Sequence, residues 1–356
     1  MKMTFRWFGE GQDPISLEHI RQIPCLDGVV TSLLTKPAGE VWTKDECLGI
    51  RRAVEGAGLK AEVIESVNIH EDIKLGADTR GAIIENYIET MKNLAEIGIK
   101  VICYNFMPVL DWARSHLYYD LPDGSNTMYF SREFIENTTP KELAAKYAAD
   151  SGGMDLPGWE PERLRHIEAT IGKYKDISSD QYWENARYFL DKIIPWAERL
   201  DIRMAIHPDD PPRPIFGLGR MINSKANIER FLGLNGSPYN GITLCTGSLG
   251  ADKNNNIPDI IKTFADRIYF AHIRNLRFTE DGFYESAHPT ECGSLDMFAI
   301  VRAFYETGFD WYIRPDHGRM IWGEKGRPGY GLYDRALGIT YITGIWETLR
   351  RLDGRE

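Results

Sequence analysis

The sequence predicts a (β/α)8 barrel, on three observations. Eight short β-rich runs alternate with longer runs of helical period. A chain of 356 residues has room for one such barrel with insertions. No GxGxxG follows an early strand, which leaves the main alternative, an open doubly wound sheet, without its usual support. The whole chain, 1–356, is therefore read as a single barrel domain.

The strands are expected near Thr4–Phe8, Gly28–Leu33, Ala61–Val67, Val101–Phe106, Ile202–His207, Ile242–Cys245, Ile268–Ile273 and Trp311–Pro315. Each is short, apolar and rich in β-branched or aromatic residues. Helical periodicity fills the spaces between them. One helix opens at Lys44 behind Thr43, a suitable N-cap, and runs to Ala57. Another, Arg80–Ile97, places Ile83, Ile84, Tyr87, Ile88, Met91, Leu94 and Ala95 close to helical spacing and ends at Gly98. Ser179–Leu200 contains Pro195, which predicts a kink. Ile222–Leu232, Ile257–Ala265, Leu295–Glu306 and Tyr333–Arg351 complete the set. Residues 108–178 are too long for one strand-to-helix connection and are read as an insertion over the barrel mouth.

Hydrophobic residues make up 43% of the chain, enough for a sizeable core. The formal net charge of −10 repels phosphate backbones, so a nucleic-acid partner is not expected. It does not exclude an anionic small molecule, because a local cation outweighs global charge at one site. No run approaches 18 uninterrupted apolar residues, so no membrane span is expected, and Arg6, Glu10 and Asp13 interrupt the N-terminus before a signal-peptide core could form. The five cysteines are widely spaced without CxxC, which argues against a disulfide framework and makes the cytoplasm the expected compartment.

The informative positions are where strands stop. The fifth strand ends at His207, the sixth at Cys245, the seventh carries His272 near its end, and the eighth is followed at once by Asp316. In a (β/α)8 barrel these ends share the C-terminal rim, where active sites are built. Alone, each residue has a plainer reading: a hydrogen-bonded histidine, a small core cysteine, a helix-capping aspartate. Together, two imidazoles, a thiolate and a carboxylate make a metal site with positions left open. The thiolate favours Zn²⁺ or Fe²⁺ and the carboxylate with an oxygen-rich substrate favours Mn²⁺, so the ligand types leave the metal open.

Other rim residues suit proton transfer and substrate binding. His317 follows Asp316; adjacent side chains point apart, so it is expected to face a substrate as general acid or base rather than to bind the metal. Tyr330, in the loop RPGYG, is a second candidate, or an aromatic packed on the rim. Arg274 and Arg314 lie two residues from His272 and Asp316, hence on the same strand faces, and could clamp a carboxylate or form buried ion pairs. Asn105 and His70, after the fourth and third strands, are candidate contacts for sugar hydroxyls. Asp209 and Asp210 are expected to cap the proline-rich loop.

The segments TFRWFG, GVVTSL, GEVW, ESVNIHEDIK, CYNFMPVLDWARS, LPDGS, MAIHPDDPPRPIFGLGR, CTGSLG, RIYFAHIRN, IRPDHG and PGY run from first strand to last. In these the chain resembles the D-mannonate dehydratase family; the departures lie in spacers, chiefly inside the insertion and between Asp316 and Tyr330. The resemblance implies a fold similar to the xylose-isomerase-like barrels. It implies conversion of D-mannonate to 2-dehydro-3-deoxy-D-gluconate and water with Mn²⁺ or Fe²⁺, within glucuronate degradation. It implies that His207, Cys245, His272 and Asp316 hold the metal and that His317 and Tyr330 move protons.

Three other functions remain in view. A sugar isomerase on the same barrel would favour more carboxylate ligands and often two metals. A barrel endonuclease would need a basic stripe that this chain lacks. A sugar-acid-binding protein would need no proton-transfer pair. A homodimer is the expected assembly, since barrels with large insertions often dimerise.

Overall fold

The computed structural model describes residues 1–151, 154, 156, 159 and 166–354. In chain order its strands are β1 (Lys2–Arg6), β2 (Gly28–Thr31), β3 (Ala61–Glu65), β4 (Val101–Tyr104), β5 (His116–Asp120), β6 (Asn126–Ser131), β7 (Arg203–Ile206), β8 (Asn240–Cys245), β9 (Ile268–Ile273), β10 (Asn275–Phe278), β11 (Gly282–Ser286) and β12 (Tyr312–Pro315). Strands β1–β4, β7–β9 and β12 close into the eight-stranded parallel barrel, each beside the next, with β12 returning to β1.

Period-two alternation sorts the strand residues into two layers. Val29, Ile64, Ile102, Met204, Ile206, Leu244, Ala271, Ile273 and Ile313 face outward into the layer under the helices. Val30, Val63, Val101, Cys103, Ala205, Phe270 and Tyr312 fill the barrel interior. Continuing the inner series by two residues at the C-terminal ends reaches Glu65 after Val63, His207 after Ala205, His272 after Phe270, and Arg314 after Tyr312. Register then levels them: His272 lies opposite Cys245 on β8 and opposite Arg314 on β12.

The helices begin and end where local chemistry directs. The helix Lys44–Gly56 starts with a capping box, Thr43 and Glu46 each bonding the other's backbone N–H. The helix Arg80–Glu96 stops before Gly98, whose φ of +88° is costly for a side-chain-bearing residue. Ser179–Leu200 is helical through Pro195. The helix expected from Ile222 starts at Lys225, because the Ser224 side chain caps it by accepting from the Asn227 N–H. The last helix is Leu332–Leu352. No described helix is long and apolar enough to cross a membrane.

A second, antiparallel sheet orders its strands β10-β11-β6-β5. Half of it comes from the stretch 108–178, which also carries helices Arg132–Glu136, Pro140–Asp150 and Ile167–Tyr174; within it, residues 152, 153, 155, 157, 158 and 160–165 lie outside the described residues. The other half is the β10–β11 hairpin after β9, which the sequence reading had not anticipated. Its signal was present: Asp281-Gly282 between two short β-prone runs is a hairpin turn dipeptide. Phe130 of β6 pairs with Phe283 of β11, their rings stacked 5.5 Å apart over a core with Leu117, Met128 and Leu276.

Candidate metal centre and proton-transfer pair

Three candidate donors from three strand ends meet at one point, with a fourth, Asp316, beside two of them. His207 Nε2, Cys245 Sγ and His272 Nδ1 or Nε2 form a group whose ligand atoms lie within 4.8 Å of one another. His207 Nε2 is 3.1 Å from His272 Nδ1. Asp316 closes the set, with Oδ1 3.6 Å from His272 Nδ1 and Oδ2 3.4 Å from Cys245 Sγ. Cys245 also caps the short helix Thr246–Gly250: the Ser248 N–H (3.4 Å) and Oγ–H (3.1 Å) both donate to its sulfur. Donors aimed at the sulfur suit a ligand that carries negative charge.

The donor set fits a divalent cation. The outer nitrogen of His207, Nδ1, donates to the Pro208 carbonyl at 2.7 Å, which leaves Nε2 as a lone pair. The outer nitrogen of His272, Nε2, is buried 3.3 Å from Glu65 Oε2, so its proton belongs there and Nδ1 is the second lone pair. Two imidazole lone pairs thus face each other across 3.1 Å, a repulsive arrangement that a cation between them converts to attraction. Two nitrogens each ~2 Å from one ion stand about 3 Å apart when they subtend a right angle. Glu65 behind His272 is the usual outer partner that fixes a ligand histidine's tautomer.

Charge around this point is heavily compensated. Burial alone would push Asp316 up, but the positive charge gathered around it, with Arg314 and Arg274 in direct contact, holds its carboxyl well below the usual range. Arg314 Nη2 lies 3.0 Å from Asp316 Oδ1 and 2.9 Å from Glu65 Oε1. Arg274 reaches Asp316 Oδ2 (2.8 Å), Asp210 Oδ2 (2.6 Å) and Glu285 Oε1 (2.7 Å). Arg114 bonds both oxygens of Asp210, at 2.8 and 2.9 Å, and Glu285 Oε1 at 2.8 Å. A Cβ at Gly247 would overlap the Arg274 side chain, so the glycine after Cys245 is what lets this guanidinium through.

His317 and Tyr330 stand beside the donors. His317 Nε2 is 2.9 Å from the Tyr330 hydroxyl, and its Nδ1 is 2.7 Å from Glu285 Oε1. Burial pushes the Tyr330 phenol up, and the nearby Asp316 charge pushes the same way. Arg335 holds the Tyr330 loop by donating to the Tyr330 carbonyl (2.6 Å) and the Gly331 carbonyl (2.7 Å). Both side chains line a cleft of ≈ 630 Å³, its open mouth included, with Arg6, Phe8, Glu65, Asn105, Trp112, His207, Asp210 and Asp316.

The structure brings most of the sequence-derived residues together and redirects several. His317 is buried and 3.8 Å from Asp316 Oδ1, so these neighbours converge rather than point apart. The reason is that β12 ends at Pro315, and strand alternation does not extend past it. Asn105 lines the cleft, its Oδ1 accepting from the Met107 N–H at 3.2 Å. His70 does not join them: its Nδ1 accepts from the Asp72 N–H as a helix cap, and its ring lines a separate recess with Leu33, Lys36 and Ile83. Arg274 and Arg314 take the ion-pair alternative and do not line the cleft. Asp209 does tie its loop, accepting from the Ile222 N–H at 2.6 Å, whereas Asp210 is the ion-pair partner of Arg114 and Arg274.

Sequence reading missed Glu65, Glu285, Arg114 and Arg6. Glu65 and Arg6 were open to period-two counting along β3 and β1. Glu285 and Arg114 were not, because their partners come from distant segments. Among the described residues Arg6 is the one cationic side chain lining the cleft. Its Nη1 donates to the Trp7 and Val30 carbonyls (3.1 and 3.2 Å) and its guanidinium stacks 4.4 Å over Phe8. Burial lowers its pKa to about 10 against the opposing pull of Glu65.

Comparison with known proteins identifies the family and the fold. The family model described as D-mannonate dehydratase (UxuA) matches residues 1–356. A mannonate dehydratase from Thermotoga neapolitana is 56% identical over 358 residues, covering 100% of this chain and 99% of its own. The crystal structure of mannonate dehydratase from Streptococcus suis serotype 2 superposes with a TM-score of 0.90 at 42% identity, covering 100% of this chain and 96% of that one. A xylose isomerase domain protein from Planctomyces limnophilus, 12% identical with a TM-score of 0.56 and covering 98% of each chain, shares the fold. With a whole-chain family match, relatives above half identity and the same barrel, the chain belongs to the D-mannonate dehydratase family.

Proposed function

We propose that this chain dehydrates D-mannonate to 2-dehydro-3-deoxy-D-gluconate and water, with Mn²⁺ or Fe²⁺ held by His207, Cys245, His272 and Asp316. The observation that carries the reading is the adjacency of that donor set, which reaches the cleft through His207 and Asp316, to the hydrogen-bonded His317–Tyr330 pair. It is supported by the family and by the printed activity of the relatives.

The reaction removes the C2 proton and the C3 hydroxyl. The electron pair of the C2–H bond becomes the C2=C3 double bond as the C3–O bond breaks. The hydroxyl leaves as water after receiving a proton, and the enol at C2 tautomerises to the keto acid. His207, Cys245, His272 and Asp316 would hold a divalent cation there, which would supply stabilisation for negative charge developing on the substrate carboxylate. His317 and Tyr330 divide the remaining work, one accepting the C2 proton and the other protonating the departing hydroxyl. Their mutual contact lets a proton return between them for the next cycle. Arg6 is placed to pair with the anionic end of the substrate, since among the described residues no carboxylate lies within ion-pair distance of it. Trp112 and Phe8 wall the cleft and restrict water.

The test is turnover of D-mannonate by metal-stripped protein, before and after addition of Mn²⁺ or Fe²⁺ without oxygen, with chemical detection of the 2-keto-3-deoxy acid. Metal-dependent product is expected. Folded protein that forms none with any divalent metal overturns the reading.

A further inference from the structure

Glu285 belongs to none of the barrel strands. It sits on β11, in the hairpin that joins the outer sheet, yet its side chain is fully buried and reaches the cleft from behind His317. Its bonding is lopsided. Oε1 accepts from Arg114 Nη2 at 2.8 Å and Arg274 Nη1 at 2.7 Å, and it faces His317 Nδ1 at 2.7 Å. Oε2 is buried without a hydrogen-bond partner among the described residues. An oxygen that already accepts from two guanidinium groups is an acceptor toward the imidazole as well, so the proton between Glu285 and His317 sits on Nδ1.

We infer that Glu285 is a positioning residue for the dehydration: it fixes His317 as the Nδ1–H tautomer and turns Nε2, with its lone pair, toward Tyr330 and the substrate. The inference rests on the function proposed above. On the other side of the ring the Tyr330 hydroxyl, 2.9 Å from Nε2, serves either tautomer, so the Glu285 contact decides. An Nε2–H tautomer would leave Nδ1 as a lone pair facing a carboxylate oxygen, a repulsive contact. A carboxylate behind a catalytic imidazole holds its tautomer and orientation in the same way in hydrolytic triads. The outer sheet therefore acts beyond covering the barrel: its β11 strand carries the group that orients a barrel residue, and Arg114, from the stretch before β5, and Arg274, after β9, hold that group.

The arrangement designs its own test. In Glu285→Gln, the amide oxygen at the Oε1 position keeps all three contacts and the NH2 falls where Oε2 has none. In Glu285→Met, similar volume remains but the acceptor is gone. The expected result is kcat within about tenfold of the parent for Gln and lower by ~10²–10⁴-fold for Met, with KM and bound metal unchanged in both. Equal loss in both variants, or loss that appears in KM and metal content rather than kcat, overturns it. Because Met leaves two buried guanidiniums short of a partner, the parent protein supplies an independent readout. In ¹⁵N-histidine-labelled, Zn²⁺-loaded parent enzyme, with the His317 signals identified by their loss in His317→Asn, the proton is expected on Nδ1. A proton on Nε2 overturns the inference whatever the variants do. Absence of D-mannonate turnover in the parent would instead overturn the proposed function and leave the tautomer result standing.

Discussion

The Tyr330 hydroxyl lies 2.9 Å from His317 Nε2, while the ring of Tyr330 packs edge-on against Phe8 at 4.8 Å. One side chain from the loop after β12 is thus held by aromatic packing from the end of β1 and spends its polar atom on the imidazole. Tyr330→Phe keeps the packing and removes the hydroxyl. We expect it, and His317→Asn, each to lower kcat on D-mannonate by ~10²–10⁴-fold without changing the unfolding midpoint by more than a few degrees. A decrease below tenfold in either variant removes that residue from the proton-transfer role.

Metal retention should depend on the carboxylate behind the ligand. Glu65 Oε2 stands 3.3 Å from His272 Nε2, and Glu65→Gln loses the charge there. A fall of ~10–100-fold in affinity for Mn²⁺ is expected, measured by competition with a fluorescent chelator. Cys245→Ser should lose affinity too, and chelation of the parent should abolish turnover until Mn²⁺ or Fe²⁺ is restored.

Substrate affinity should respond to Arg6 more than to Arg274 or Arg314, which already hold carboxylates. Arg6→Met is expected to raise KM for D-mannonate by ~10–100-fold, the span of a charge-assisted hydrogen bond, with a smaller change in kcat. Competition by the neutral D-mannitol should be unaffected. Equal weakening of both ligands would mean that Arg6 shapes the cleft instead.

The ion-pair cluster sets stability. Asp210 compensates both Arg114 and Arg274, each fully buried. Asp210→Ala leaves two buried cations with Glu285 and Asp316 alone, and about 3–5 kcal/mol of unfolding free energy should be lost in urea titrations. Asp281→Ala is the contrast. Its carboxylate bonds Ser131 and the Glu133 N–H at the exposed edge of the outer sheet, and the same measurement should show a much smaller loss.

Thiol chemistry should separate the cysteines by burial. Cys25 and Cys292 are exposed, whereas burial pushes the Cys47 thiol up to about 12. A thiol stays neutral below its pKa, so at pH 8 Cys47 offers almost no thiolate to a disulfide reagent. Two fast-reacting thiols are expected in the folded, metal-loaded protein, and Cys25→Ser with Cys292→Ser should remove them. Rapid labelling of Cys47 would contradict its burial.

Sequence alone determined the barrel and the rim positions of its four candidate donor residues. The reason is that both follow from short-range periodicity: strands alternate with helices, and a strand's inner face repeats every two residues, so His207, Cys245, His272 and Asp316 could be located by where their strands stop. The same counting failed one residue further on, at His317, because β12 ends at Pro315 and the chain turns both neighbours inward. Tertiary structure decided everything that needed a partner from far away. The outer sheet pairs Phe130 with Phe283, and that pairing brings Glu285 behind His317 and within reach of Arg114. Arg274 and Arg314 present the same pattern whether they serve a substrate or an ion pair, and only the folded chain, with Asp210 and Glu65 at the barrel rim and Glu285 from the outer sheet beside them, made them ion pairs. A buried guanidinium takes whatever carboxylate folding delivers to it, and that delivery has no local signature in the chain.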